Sequence, residues 1–470
     1  MVTILETELK NRVNQAIEKA KKHLVPVLVS EVQKIEQIEP LFFFAAGNEK
    51  YVGERFFWKD PSDETVLVGL GHCKQIQSVG TVDRFDYTEK EWRQFIKEAI
   101  ILKDDSKQGT GPIMFGGFSF DPLKEKSSLW SKYPESLFHV PEHLLSVING
   151  EAYLTTNILC TQHDDLSMVD KLLEERKALL TRAKTAPMLQ QSRMMNMKEV
   201  VEPEVWKQSV YDLVDDLKEG ALKKVVVARE LRLSFDKNVS VEWVLKQLLN
   251  EQKASFTFAF ESNGDCFIGA SPERLVKKEG RNLFSTCLAG SIARGKTETE
   301  DEQLGETLLN DEKNLMEHQY VVDMIKEAME KECNDILLPN KPTLMKMRDI
   351  QHLYTPVVGV GKADSSLLQI VNSLHPTPAL GGLPQKAAVK KIREIEQLDR
   401  GYYAAPIGWI DFEGNGEFAV AIRSALIQAD EASLFAGCGI VEDSDAESEY
   451  VETKIKFRPM LSALGGLKNE

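Results

Sequence analysis

The sequence predicts an α+β fold built on large antiparallel sheets. Short apolar strands separated by turn signals fill residues 26 to about 160, and hairpin-like strands alternate with helices from Pro203 onward. The regular strand–helix spacing of parallel βαβ units is missing, and no internal repeat is visible, so the strands are expected to pair as antiparallel neighbours.

The chain opens on MVTILETELKNRVNQAIEKAKKHL, where charged and apolar residues alternate at helical period; this reads as a helix, not as a signal or transit peptide. VPVLVSEVQKI, PLFFFAAG, TVLVGLGHC, PIMFGGFSF and HLLSVINGEAYLTTNILC read as strands, with GNEK and KDPSDE among the turns between them. YTEKEWRQFIKEAIIL (87–102) is one helical interruption. GTGPIMFGGFSF is glycine-rich but lacks the strand-then-helix frame of a nucleotide loop, which leaves tight strand packing. Residues 165–183 are helical and 184–204 form the linker candidate, dividing the chain into a strand-rich region, 1–200, and a second region, 201–465.

Pro203 starts a helix with Trp206, Val210, Leu213, Val214 and Leu217 on one face, and Gly220 ends it. KVVVARELRLSF is a strand, 240–250 a helix, and FTFAFES, DCFIGAS and RLVKK three short strands. NLFSTCLAGSIARG is expected to end in a small-residue turn. Long helices are expected over 299–332 and 384–399, with YAAPIGWIDF, EFAVAIRSALI and SLFAGCGIV as the last strands. Arg423 then lies inside a strand, Gly437-Cys438-Gly439 form a turn, and a final helix opens at Ser444 or Asp445, either of which can cap it.

Of 470 residues, 42% are apolar and 28% charged, the balance of an ordinary globular chain. The formal net charge of −15 repels phosphate backbones, so nucleic acid is an unsuitable partner, although a small anion can still bind a locally basic pocket. Six scattered cysteines with no CxxC pair read as buried thiols in a reducing compartment. The longest apolar stretch, Pro40 to Ala46, is too short to span a bilayer. These features imply a cytoplasmic protein with no membrane insertion. Nothing resembles a coiled coil or a large apolar patch, so a monomer or weak dimer is expected.

The chemistry-bearing residues concentrate in the second region. Glu449, Glu452 and Lys456 fall at i, i+3 and i+7 and share one helix face. Alone they describe a solvated helix, but the glycine-rich backbone just before them suits a site holding an anion and a divalent cation. Lys224 begins an aliphatic strand, where desolvation favours the neutral amine; the alternative is a surface lysine like Lys223 beside it. Glu273, beside Pro272 and an apolar strand, is either a general acid kept protonated by burial or half of a surface turn with Arg274. Glu317 sits mid-helix on a half-buried face, where a cation shared with Glu452 would partner it; the alternative is a helix-surface glutamate. Arg423 within a strand calls for an anion, from a ligand or from the protein. Gly290, Ser291, Tyr403, Gly439 and Lys456 can add donors around that anion or be structural. His318 faces away from this set, and His352 and His375 sit beside turns without any nucleophile motif, so a hydrolytic triad finds no support.

In this order KVVVAR, GASPERL, LAGSIARG, KNLMEH, DIQHLYTPVVG, LHPTPALGGLP, RGYYAAPIGW, AIRSALI and GCGIVEDSDAESEYVETKIKF closely resemble the chorismate-utilising enzyme family, over roughly residues 204–460. Residues 1–200 are similar only in strand pattern and in PIMFGGFSFDP. The resemblance implies the fold of anthranilate synthase component I, two large antiparallel sheets stacked with helices outside. Residues 1–200 would complete the sheets and 201–465 would form the chorismate-binding catalytic domain. It also implies Mg²⁺, with Glu317 and Glu452 as ligands and Glu449 behind them. Ser291, Tyr403, Arg423, Gly439 and Lys456 match positions that grip the substrate's carboxylates, with Gly290 beside Ser291 expected to bind substrate too, and His352 matches a pocket residue. Asn314 stands where many members carry an acid, which removes one charge from around the metal.

Lys224 decides the branch that the resemblance implies. In isochorismate and salicylate synthases a lysine here activates water, whereas aminating members differ and draw ammonia from a glutaminase partner, so no glutaminase subunit is expected. Ala379 also resembles the isochorismate branch, and the long N-terminal region leans toward the menaquinone type. The implied activity is isochorismate synthase, with Lys224 as base and Glu273 as acid. The alternatives are a siderophore-pathway isochorismate synthase, a salicylate synthase, an anthranilate or aminodeoxychorismate synthase component, and a non-catalytic chorismate-binding protein.

Overall fold

Alternation along single strands sets the layers. In Arg55–Lys59, Phe56 and Trp58 enter one apolar cluster and Phe57 another, as the two-residue period of a strand requires. The computed structural model describes residues 2–80, 83–102, 107–348 and 350–466; Asp349 of the DIQHLYTP stretch lies outside these. A thirteen-stranded and a ten-stranded sheet stack on each other, and an aromatic layer fills the space between them. Phe56 of the larger sheet stacks on Phe115 of the smaller at 4.4 Å, and Trp130 stacks on Phe435 and Tyr402. On the outer face of the larger sheet, Phe57, Leu145 and Leu434 pack against Val244 and Leu248 of helix Val241–Glu251 and Phe457 of helix Ala446–Ala463. The fold is therefore α+β with helices outside two largely antiparallel sheets.

Strands from the first 160 residues continue both sheets. Trp58 pairs with Phe258 in the larger sheet, and Ile113–Phe118 pairs with Pro406–Asp411 in the smaller. Among the described residues one ladder is parallel, Val27–Ile35 with Ile100–Leu102 at the sheet edge. No described helix is long and apolar enough to cross a membrane. The six cysteines are unpaired, and five of them are buried.

Several expectations are corrected. PLFFFAAG is a helix, Pro40–Ala46, with proline in its first turn; a short buried apolar run has no periodicity to distinguish it from a strand. The helix read at 87–102 runs from Arg84 to Lys97, and Ile100–Leu102 is a strand. The linker candidate 184–204 contains the edge strand Met194–Glu199. The single helix at 299–332 is two, Glu298–Asn310 and Glu312–Glu330, because Asp311 caps the second by accepting the Asn314 N–H at 2.7 Å. The helix expected at 384–399 ends at Ile395. Gly437-Cys438-Gly439 is no turn but part of strand Glu431–Ile440. EFAVAIRSALI is two strands, Gly416–Val420 in the smaller sheet and Ser424–Gln428 in the larger, so Arg423 lies between strands. Cys333–Leu337, Thr343–Lys346, Ile350–Gly361 and the helix Leu367–Leu374 add elements that the pattern had not resolved.

Candidate active site

Two chain crossings between the stacked sheets define the site. Strand Asp265–Ser271 belongs to the larger sheet and Arg274–Glu279 to the smaller, so Glu273 sits on the crossing. The chain crosses back between Val420 and Ser424, which places Arg423 there in the left-handed region at φ 52°. The crossings are tied together, the Val420 N–H donating to the Glu273 carbonyl at 3.0 Å and the Ala270 N–H to the Arg423 carbonyl at 3.1 Å. Backbone pairing thus holds a carboxyl and a guanidinium at one end of the sandwich.

A cavity of about 310 Å³ opens there, within the range of a small-molecule site. Lys224, Glu273, Gly290, Ser291, Glu317, His352, Tyr403, Arg423, Gly439, Glu449, Glu452 and Lys456 all line it, from well-separated segments of the chain. Lys224 arrives at the start of strand Lys224–Phe235, whose neighbour Glu431–Ile440 carries Gly437 and Gly439. Gly290 and Ser291 lie where the Asn282–Ala293 ladder shifts register between Leu288 and Ser291, and Ser291 pairs with His352. Glu317 comes from helix Glu312–Glu330, and Glu449, Glu452 and Lys456 from helix Ala446–Ala463. Asn314, Ala379, Lys313, Leu380 and Ser444 line it too, and no sequence feature singles out the last three for binding. Asp445 caps the last helix; Ser444 instead accepts the Val441 N–H and donates to Glu449 at 2.9 Å.

Burial sets the charge states. Glu273 is 6% exposed, and desolvation raises its pKa to about 7 although the Lys224, Arg423 and Lys456 charges pull it down. Lys224 is 5% exposed, yet its surroundings are not only aliphatic: its ammonium pairs with Glu317. Lys456 pairs with Glu452 at 2.6 Å, donates to the Gly437 carbonyl at 2.9 Å, and holds the Glu452 carboxyl below its ordinary range. Burial and the Glu452 charge beside it push Glu449 up. His352 is kept neutral: burial, with the cations Arg423 and Lys456 nearby, lowers its pKa to about 3. Its Nδ1 lies 2.7 Å from Ser291 Oγ, and its Nε2 has no hydrogen-bond partner among the described residues.

Supporting contacts aim these groups. His318, one residue after Glu317, sits 2.9 Å from the Ala289 carbonyl and 2.7 Å from Thr355 Oγ1, pinning the helix to the smaller sheet. It is structural, as its position suggested. Arg400, in a buried pair with Glu396, donates to the carbonyls of Val226 at 2.8 Å and Leu380 at 3.0 Å, both on the cavity wall. A separate cavity of about 280 Å³ near Trp206 holds none of this constellation, and its Arg229, Arg232 and Glu396 are already ion-paired.

Among the described residues no three His, Cys, Asp or Glu side chains converge tightly enough to bind a metal unaided. Glu317 and Glu452 nevertheless face one cavity, each balanced by a lysine ammonium, and Glu449 is crowded by like charge. Hard carboxylate oxygens in small number fit Mg²⁺, which keeps several of its waters.

Gly439 carries a requirement of its own. A Cβ there would lie 2.4 Å from Lys224 Cε and 2.9 Å from its Nζ. Gly439→Ala must displace the tip of a flexible side chain, not backbone. If Lys224 takes part in the reaction, this variant is expected to keep its melting temperature within a few degrees of wild type while kcat falls by about 10²-fold, the usual cost of moving a reacting group by an ångström. Full activity in this variant would show that the position of Lys224 is not critical.

A family model described as chorismate binding enzyme matches residues 15–465. The isochorismate synthase MenF of Bacillus subtilis (strain 168) is 45% identical over 471 residues, covering 99% of both chains. The salicylate biosynthesis isochorismate synthase of Pseudomonas aeruginosa is 33% identical over 98% of this chain and 95% of its own length. The solved structure of MenF, the menaquinone-specific isochorismate synthase from Escherichia coli, aligns with a TM-score of 0.77 at 24% identity, over 96% of this chain and 99% of that one, and so bears on the fold alone.

Proposed function

The chain belongs to the chorismate binding enzyme family, and we propose that it is an isochorismate synthase of the menaquinone type, an isomerase that interconverts chorismate and isochorismate. The observation that carries the mechanism is one cavity lined by a buried lysine, a buried carboxyl with a pKa near 7, and a carboxylate pair with a basic clamp.

Lys224, acting as the base, takes a proton from a water that attacks ring carbon 2. The ring double bonds shift, and Glu273 gives its proton to the departing 4-hydroxyl, which leaves as water. One water is consumed and one released, so substrate and product are isomers and the reaction runs both ways. Arg423 and Lys456 face the substrate carboxylates, with the Ser291 hydroxyl, the Tyr403 hydroxyl and the backbone at Gly290 and Gly439 as neutral donors. Neutral His352 adds no charge to this clamp. Glu317 and Glu452, with Glu449 behind them, would hold Mg²⁺, which when bound supplies positive charge against the ring carboxylate. Fixing both reactants in one cavity supplies much of the acceleration as orientation.

The test is product analysis. Purified protein incubated with chorismate and Mg²⁺ is expected to form isochorismate, to lose activity in EDTA, and to give no aminated product with ammonium. Salicylate as the main product would move the chain to the salicylate branch. An aminated product would remove Lys224 from its role as base, and absence of turnover would leave only binding.

A further inference from the structure

The catalytic cavity does not end at its own walls. Lys224, Glu317 and Lys313 also line a second, outer cavity of about 650 Å³, about twice the volume of the first. The outer cavity is edged by Lys223, Met316, Tyr320, Glu442 and Asp443, all on the surface. Sharing these residues, the outer cavity lies against the Lys224–Glu317 pair from the surface side.

The substrate of the proposed reaction carries two carboxylates, and this chain carries a net charge of −15. The mouth is itself mixed, with Glu312, Glu442 and Asp443 beside the lysines, so no broad positive field draws a dianion inward. The cations deeper in are engaged: Lys224 pairs with Glu317 and Lys456 with Glu452. At the mouth, the Lys223 ammonium lies 5.2 Å from the Tyr320 ring centroid, over its face. Lys313 differs from all of these. It is exposed, it has no ion-pair partner among the described residues, and it stands one helical turn before Glu317, on the boundary of the two cavities. Glu317, four residues on, is the natural helical partner for it, but Lys224 holds that carboxylate.

We propose that Lys313 is the capture residue of this enzyme: it attracts a substrate carboxylate into the outer cavity and passes the dianion to the inner clamp. The proposal rests on the isochorismate synthase reading. A residue acting this way contributes to association and not to the chemical step, so its removal appears in kcat/KM and depends on salt.

The experiment measures chorismate turnover at saturating Mg²⁺ for wild type, Lys313→Ala, Lys313→Glu and Lys313→Arg at ionic strengths of about 0.01 M and about 1 M. Lys22→Ala, on the N-terminal helix and away from both cavities, controls for loss of one charge. Lys313→Ala is expected to lower kcat/KM about tenfold at low salt, with kcat within about twofold, and the deficit should shrink at high salt. Lys313→Glu should lose more, Lys313→Arg should retain most of the wild-type value, and Lys22→Ala should match wild type. The capture role is overturned if Lys313→Ala matches wild type at low salt, if its deficit is unchanged at high salt, or if kcat falls in step with kcat/KM. A wild type that turns over no chorismate overturns this proposal together with the functional reading, whereas an active wild type matched by Lys313→Ala overturns capture alone.

Discussion

Lys224→Ala is expected to lower kcat about 10²- to 10⁴-fold at saturating Mg²⁺ and chorismate, the usual contribution of a positioned base. The loss has two possible origins, since Lys224 also pairs with Glu317 and its removal changes the charge around the carboxylate pair. Lys224→Arg separates them. A guanidinium keeps the positive charge and can still meet Glu317, but it does not give up its proton in the working pH range. Both variants should therefore be equally inactive if the amine is the base. An arginine variant with a tenth or more of wild-type turnover would assign Lys224 an electrostatic task and leave water activation to another group. Thermal melts accompany both measurements, because Lys224 is nearly fully buried.

The second large effect belongs to Glu273. Glu273→Gln preserves shape and removes the transferable proton, so kcat should again fall about 10²- to 10⁴-fold. The wild-type pH profile carries a matching signature. Burial raises this carboxyl from its ordinary 4.5 to about 7, so it holds its proton below about pH 7 and is ionised above it. As an acid in the forward direction it loses competence as pH rises through 7, and kcat/KM should descend there. Linkage fixes the sign for stability as well. The native state binds this proton more tightly than the unfolded chain, so the stabilising contribution is complete below about pH 4.5 and is lost as pH rises through 7. Glutamine has no such loss, and Glu273→Gln should gain melting temperature relative to wild type on going from pH 5 to pH 8. An unchanged melting difference between those pH values would mean that the carboxyl is not held neutral by burial.

Much of this site was legible in the sequence because its determinants are local. The Pro203 helix, with Trp206, Val210, Leu213, Val214 and Leu217 buried along one face, follows from its 3.6-residue spacing and its terminal proline and glycine. Glu449, Glu452 and Lys456 could be placed on a common helix face by counting alone. The illegible parts are those that depend on partners distant in the chain. Nothing in EFAVAIRSALI reveals that the chain changes sheets in its middle, because a buried strand continuing and a buried strand crossing are equally apolar. Arg423 was therefore placed inside a strand, although its requirement for an anionic environment could be read. The Lys224–Glu317 pair was hidden for the same reason, since it joins a strand start to a helix 93 positions away. Asp311, by contrast, offered a local signal: an aspartate at a helix N-cap is common enough to have split the 299–332 helix in two.

The interleaving of early and late strands has a consequence for how the protein is made. Trp58 waits for Phe258, whose hairpin partner Asp265–Ser271 waits in turn for Ser424–Gln428, and Ile113–Phe118 waits for Pro406–Asp411, so both sheets close only when nearly the whole chain has left the ribosome. Pairings this distant in sequence are slow to form. Until they do, Arg55–Lys59 and Ile113–Phe118 present strand edges open to foreign partners. Neither half of the chain, expressed by itself, has a complete sheet to fold into. The architecture that gathers Lys224, Glu273 and Arg423 into one cavity thus makes synthesis, and not the finished enzyme, the stage most exposed to aggregation.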